Sequence, residues 1–139
     1  LGFKKKGGFG LKKAIGLFKL AKSSLPKVIA NDAKNHFLLG FRQGGGQTDA
    51  SKGGWQKRKK DPKGARRGIL ILRGRMMKAL KTVSATFSKI EIAIIGIAYA
   101  QRHNEGLDGM PKREILGKSS VLDAKTKRTI ERELRKIFR

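Results

Sequence analysis

Cysteine is absent from this 139-residue chain. Disulfide staples, Cys-ligated zinc and thiol catalysis are therefore excluded. Histidine is nearly absent too, with only His36 and His103, so a histidine-rich metal site cannot be assembled. No apolar run approaches the roughly 20 residues of a membrane span. Acid is scarce: 10 Asp and Glu stand against 34 Lys and Arg, a formal charge of +24. What remains is enough for one folded domain, since 38% of residues are hydrophobic and a chain of this length can bury about two-thirds of its unfolded surface.

The charge is uneven. Residues 1–90 carry 23 basic and 3 acidic residues, whereas 91–139 carry 11 and 7. The first ten residues hold glycines at 2, 7, 8 and 10, too many for a stable helix, and read as a flexible basic arm. A short amphipathic helix is expected from Leu11 to Lys22, with Leu11, Ala14, Ile15, Phe18 and Ala21 on one side. Its spacing suits a domain core or a lipid surface, the core being the simpler reading. Ser23-Ser24 before Leu25-Pro26 looks like a fresh helix start. From there Val28, Ile29, Ala33, Phe37, Leu38 and Phe41 mark a helix that Gly44-Gly45-Gly46 stops. The division expected is thus 1–24, arm and short helix, and 25–139, one α+β domain with a long basic loop at 43–68.

Further along, 76–80 reads as helical turns. Val83, Ala85 and Phe87 alternate with polar residues as in a half-buried strand, and 90–97 is a second, more apolar strand. An antiparallel hairpin follows, although no Asn-Gly or Asp-Gly marks its turn. Asp123 is placed to cap a last helix whose core face is Ala124, Ile130, Leu134, Ile137 and Phe138. The fold class is α+β: a small antiparallel sheet with an N-terminal helix and a packed C-terminal helix.

No catalytic constellation stands out, and no enzyme, cofactor or metal is expected. His103 and Glu105 make a His-x-Glu triplet, but zinc deaminases of that pattern need Cys-x-x-Cys. Neither 7–13 nor 44–54 fits a phosphate-binding glycine loop. Glu91, Glu105, Asp108 and Glu114 lack the common framework that a two-metal nuclease needs. The best anion site is Lys57, Arg58, Lys59, Lys60, Lys63, Arg66 and Arg67, seven cations in eleven residues. They suit sequential phosphate contacts without base readout, or acidic protein partners. Trp55, within the same loop, reads either as an internal anchor or as a base-stacking platform.

From about residue 37 onward the chain resembles the phage virion morphogenesis, or tail-completion, family of Mu-like and related tailed phages. FRQGGGQTDASKGGWQKRKK is similar to the segment that follows that family's first helix. ILILRGRMMKAL at 69–80 is similar to its Ile-Leu-x-x-[Thr/Ser]-Gly-x-Leu-x-x-Ser pattern, with Arg73, Met76 and Ala79 departing from it. IIGIAYAQRHNEG and MPKREILGKSS carry its Tyr-Ala-x-x-His-x-x-Gly and Pro-x-Arg-x-[Phe/Ile]-Leu-Gly through Tyr99, Ala100, His103, Gly106, Pro111, Arg113, Leu116 and Gly117.

The resemblance implies a structural virion protein at the head–tail junction or upper tail, made in the host cytoplasm. It implies a homo-oligomeric ring, expected to be hexameric, beside neck, connector or tail-tube proteins. Packaged DNA is a possible non-specific contact, and no membrane is implied. Tyr99, His103, Gly106, Pro111, Arg113 and Leu116 become candidates for a subunit interface. Alternatively, they fix the loop within one subunit, with Arg113 pairing Glu105, Glu114 or a neighbour. The competing functional reading is a free-standing, non-specific nucleic-acid-binding basic protein.

Overall fold

A computed structural model describes residues 2–57, 70 and 74–138, with side chains from residue 12 onward. Its elements run α1 (Gly2–Gln43), a 3-10 turn (Asp49–Ser51), α2 (Arg75–Ala79), β1 (Leu80–Ala85), β2 (Ile90–Ile94), α3 (Ala98–Glu105) and α4 (Ser120–Ile137). The two strands pair antiparallel, and both α4 and the hairpin pack on α1. This is the expected α+β architecture.

The N-terminal expectations need correction. Residues 2–10 are helical rather than a loose arm, and α1 runs unbroken for 42 residues through Pro26. Extending an existing helix needs no new nucleus, so glycine's propensity cost of about 1 kcal/mol is borne without the nucleation penalty. Ser23 and Ser24 do not cap a new helix. Their hydroxyls donate backward to the Leu20 carbonyl at 3.0 and 2.9 Å. Pro26 forgoes one backbone bond, but its side chain is buried. The proposed boundary at 24/25 therefore falls inside one continuous helix.

At its other end α1 stops where the glycines stand. Gly44 has φ of 74°, and the Gly45 amide donates to the Gly40 carbonyl at 2.7 Å. This reverse bond satisfies a carbonyl left over by the helix end. The segment after it is not a loose loop. Residues 47–51 form a tight hydroxyl-bonded turn in which Thr48 and Ser51 are both buried and joined at 2.8 Å.

The hairpin departs from simple alternation. Thr82 pairs with Ile92 but Ser84 with Glu91, leaving Val83 as an extra residue in a bulge. Val83 is consequently 51% exposed, and Phe87, in the connecting turn rather than the strand, is 63% exposed. The missing Asn-Gly is replaced by Thr86. Its backbone exchanges hydrogen bonds with Lys89 at 2.8 and 3.2 Å, and its hydroxyl accepts from the Lys89 amide at 3.1 Å.

The α4 cap is Ser119, four residues ahead of the expected Asp123. Ser119 is in extended conformation, and its Oγ accepts from the Leu122 amide at 3.2 Å. Asp123 lies in the first turn, where its charge still favours the helix dipole. Of the expected α4 core face only Ile137 is buried; Ile130, Leu134 and Phe138 are 36%, 39% and 74% exposed.

The main core gathers Phe37, Phe41, Trp55, Met76, Leu80, Ala100 and Ile115. It lies at the C-terminal end of α1, under the hairpin, α3 and the segment that leads to α4.

Candidate functional site

Of the residues singled out in the sequence, Trp55 and Ala100 lie in that core and Leu116 packs against it. Trp55 is 7% exposed, stacks edge-on against Phe41 (ring centroids 5.8 Å), and donates Nε1–H to the Glu114 carbonyl at 2.9 Å. Of the two readings of Trp55 the structure takes the anchor, since its faces are occupied internally. Gly45 explains part of that fit. Its φ is +96°, and a Cβ there would come within 2.6 Å of the indole ring. Only glycine has both the conformation and the space.

The α3 helix places Tyr99 and His103 one turn apart on one face, their rings edge to face with centroids 6.2 Å apart. Gly106 then ends the helix in the left-handed region (φ 69°), its amide bonded to the Arg102 carbonyl at 2.8 Å. A Cβ on Gly106 would lie 2.9 Å from Lys112 Cβ, so the returning chain passes directly over it. That return is fixed from two sides. The Arg113 amide donates to the His103 carbonyl at 2.8 Å. Asn104 Oδ1 accepts from the amides of Ile115 and Leu116 at 2.8 and 2.9 Å.

Arg113 is 7% exposed. Its Nε donates to the Gln56 carbonyl at 2.8 Å, and Nη2 reaches the Lys57 carbonyl at 3.4 Å. The guanidinium thus pins the chain where the basic run begins. Lys57 itself is exposed; Arg58, Lys59, Lys60, Lys63, Arg66 and Arg67 lie outside the described residues. Glu114 pairs with Lys112 at 3.4 Å, and Glu105 accepts from Gln101 at 3.4 Å.

Burial pushes the His103 imidazole below its ordinary pKa, and the nearby Arg113 charge adds to the effect. Nδ1 of this half-buried ring is enclosed, with no hydrogen-bond partner among the described residues. Tyr99 is different: 41% exposed, it is the member of the set that faces outward. Pro111 and Leu116 are half-buried, and Leu116 packs against the core. The arrangement is that of a locked loop.

Sequence reasoning missed a second junction nearby. His36 Nε2–H donates to the Gln47 carbonyl at 2.7 Å and lies 3.1 Å from Ser119 Oγ. Asp49 accepts from the Ser120 amide and hydroxyl at 2.9 and 2.7 Å. Those bonds hold the Asp49 carboxyl below its usual range, with Lys52 and Lys118 contributing. The signal for this junction was faint: polar residues separated by 71 and 83 positions give no local pattern.

Among the described residues no group of three or more His, Cys, Asp or Glu could hold a metal ion, and no helix is long and apolar enough to cross a membrane. No family model, curated protein or solved structure matches this chain.

Proposed function

We propose that this chain is a structural assembly subunit, of the tail-completion or neck kind found at the head–tail junction of tailed phages, and that it works as a homo-oligomeric ring. The supporting observation is the convergence of Trp55, His103, Gly106, Arg113 and Leu116. These residues are up to 61 positions apart, yet they interlock through Trp55–Glu114, Arg113–Gln56 and Arg113–His103 bonds. A motif set that resembles a family signature in order and also forms one packed unit supports a shared architecture. Tyr99, exposed beside the locked loop, is the residue of this set assigned to a neighbouring subunit. The basic run faces packaged DNA or acidic neighbours.

Light scattering of the purified chain tests the ring directly: a discrete oligomer is expected, and Tyr99→Ala shifts it toward monomer. Replacing Lys57, Arg58, Lys59 and Lys60 with Glu is expected to impair DNA retention or virion assembly. The basic-run assignment fails if both are untouched.

The competing reading is a free-standing, non-specific nucleic-acid binder. It is favoured by the Arg113 clamp, which fixes the origin of the basic run at Lys57. A monomer that forms a tight, steeply salt-dependent DNA complex and no ring decides for it.

A further inference from the structure

A recess of about 270 Å³ opens between α1, α2 and the start of β1, and no residue of the locked loop lines it. Its apolar part is Leu38, Met77 and Leu80, of which Leu80 is 1% exposed. The rest of its lining is cationic: Lys34, Arg42 and Lys78. No carboxylate lines it, and among the described residues none of the three cations is in an ion pair. Single surface cations need no explanation. Three gathered around one recess repel one another, and an anion relieves that cost.

We infer that this recess seats backbone phosphates of a nucleic-acid duplex. Lys34, Leu38 and Arg42 follow one another at four-residue steps, which puts them on one face of α1. Lys27 and Asn31 continue that face toward the N-terminus, and both are exposed. From Lys27 to Arg42 the row spans about 22 Å of helix. Asp32, the one acid in that stretch of sequence, is directed elsewhere and meets Lys125 of α4 at 3.9 Å. A row of this length suits a linear polyanion with closely spaced charges, whereas a small anion meets only the recess. Lys, Arg and Asn are also side chains that contact phosphate. Two other occupants fit less well. An acidic amphipathic helix docks through an apolar ridge, and Lys27, Asn31 and Lys34 offer that ridge no seat. An unpaired strand stacks its bases on aromatic rings, and none lines the recess.

The test measures fluorescence anisotropy of a short labelled DNA duplex of mixed sequence, titrated with the full chain over a range of salt concentrations. Lys34→Gln, Arg42→Gln and Lys78→Gln are combined in one recess variant. Its control combines Lys127→Gln, Arg128→Gln and Arg135→Gln, exposed cations of α4, and removes the same charge. Each neutralised phosphate steepens the logarithmic salt dependence by about 0.9. The recess variant is therefore expected to bind at least tenfold more weakly, with a slope shallower by about 2.7, and the control to keep the wild-type slope. Backbone amide shifts of the wild type should move at 27–42 and 75–80 on adding the duplex, which locates it independently of any variant's stability.

Equal losses in the recess variant and the α4 control overturn the inference, because the attraction is then a property of total charge alone. So does a recess variant that binds like the wild type, or a wild type that leaves the duplex free. Polyglutamate that binds as tightly as the duplex, with the same loss in the recess variant, overturns the nucleic-acid occupant in favour of an acidic protein. A single-stranded oligonucleotide that binds more tightly than the duplex overturns the choice of duplex. Every variant keeps Lys57, Arg58, Lys59 and Lys60, and none of the readouts is the oligomeric state. The recess is thus judged separately from the basic run and from the ring.

Discussion

Asn104 shows how much one side chain can hold. A single carbonyl oxygen accepts from two successive backbone amides, and thereby fixes the strand-like return of residues 113–116 against α3. Asn104→Ala leaves both amides short of a partner in a half-buried setting and should cost about 2 kcal/mol. Chemical denaturation measures it, and Asn104→Asp, which keeps an acceptor there, should cost less. His103 makes a different prediction. Its pKa is lowered on folding from 6.5, so the unfolded chain takes up the proton first as pH falls. The imidazole is without penalty above 6.5, and stability is lost as pH drops below 6.5 through the folded-state value. Denaturant midpoints across that window should fall for the wild type and fall less for His103→Leu.

At the scale of elements, α4 depends on residues far away in sequence. Ser119 caps it, while Asp49 takes the next amide and hydroxyl. Ser119→Ala should lower stability by about 1 kcal/mol, and its effect should be non-additive with Asp49→Ala, because both act on one helix end. A double-mutant cycle by thermal melts measures that coupling. The same junction shows what was readable beforehand. Helix α4 was visible in its apolar spacing, because Ile130, Leu134 and Ile137 recur at helical steps whatever covers them. Its cap was misplaced by four residues because Asp123 and Ser119 are both good caps locally, and the choice is made by Asp49 and His36 from across the fold. The hairpin was legible from β-branched runs, but the bulge at Val83 was not, since a bulge is decided by cross-strand register. In the candidate site, Tyr99 and His103 share a face by simple arithmetic. The Arg113 clamp on Gln56 spans 57 residues and left no local trace. The helix start expected at Ser23-Ser24 is not there, since both hydroxyls bond back to Leu20 and the helix continues through Pro26.

On the scale of the whole molecule, packing is concentrated at one end of α1. Phe37 and Phe41 enter the main core, whereas Ile15, Phe18 and Leu20 are 47%, 42% and 66% exposed. Local stability follows buried contact, so hydrogen exchange should be faster at amides 12–22 than at 34–43. Similar protection at both ends would mean that something covers the N-terminal half in solution. The bonds that close the fold join distant positions: Trp55 to Glu114, Asp49 to Ser120 and His36 to Ser119. Such contacts repay their loop-closure entropy only after a long stretch of chain has been brought back. For a chain made from its N-terminus, this sets an order of events. Helix α1 can wind early from local bonds alone, but Trp55 has no acceptor until residue 114 exists, and His36 and Asp49 have none of their distant partners until 119 and 120 follow. Residues 114–120 therefore act as the clasp that secures Trp55, Asp49 and His36 to the rest of the fold.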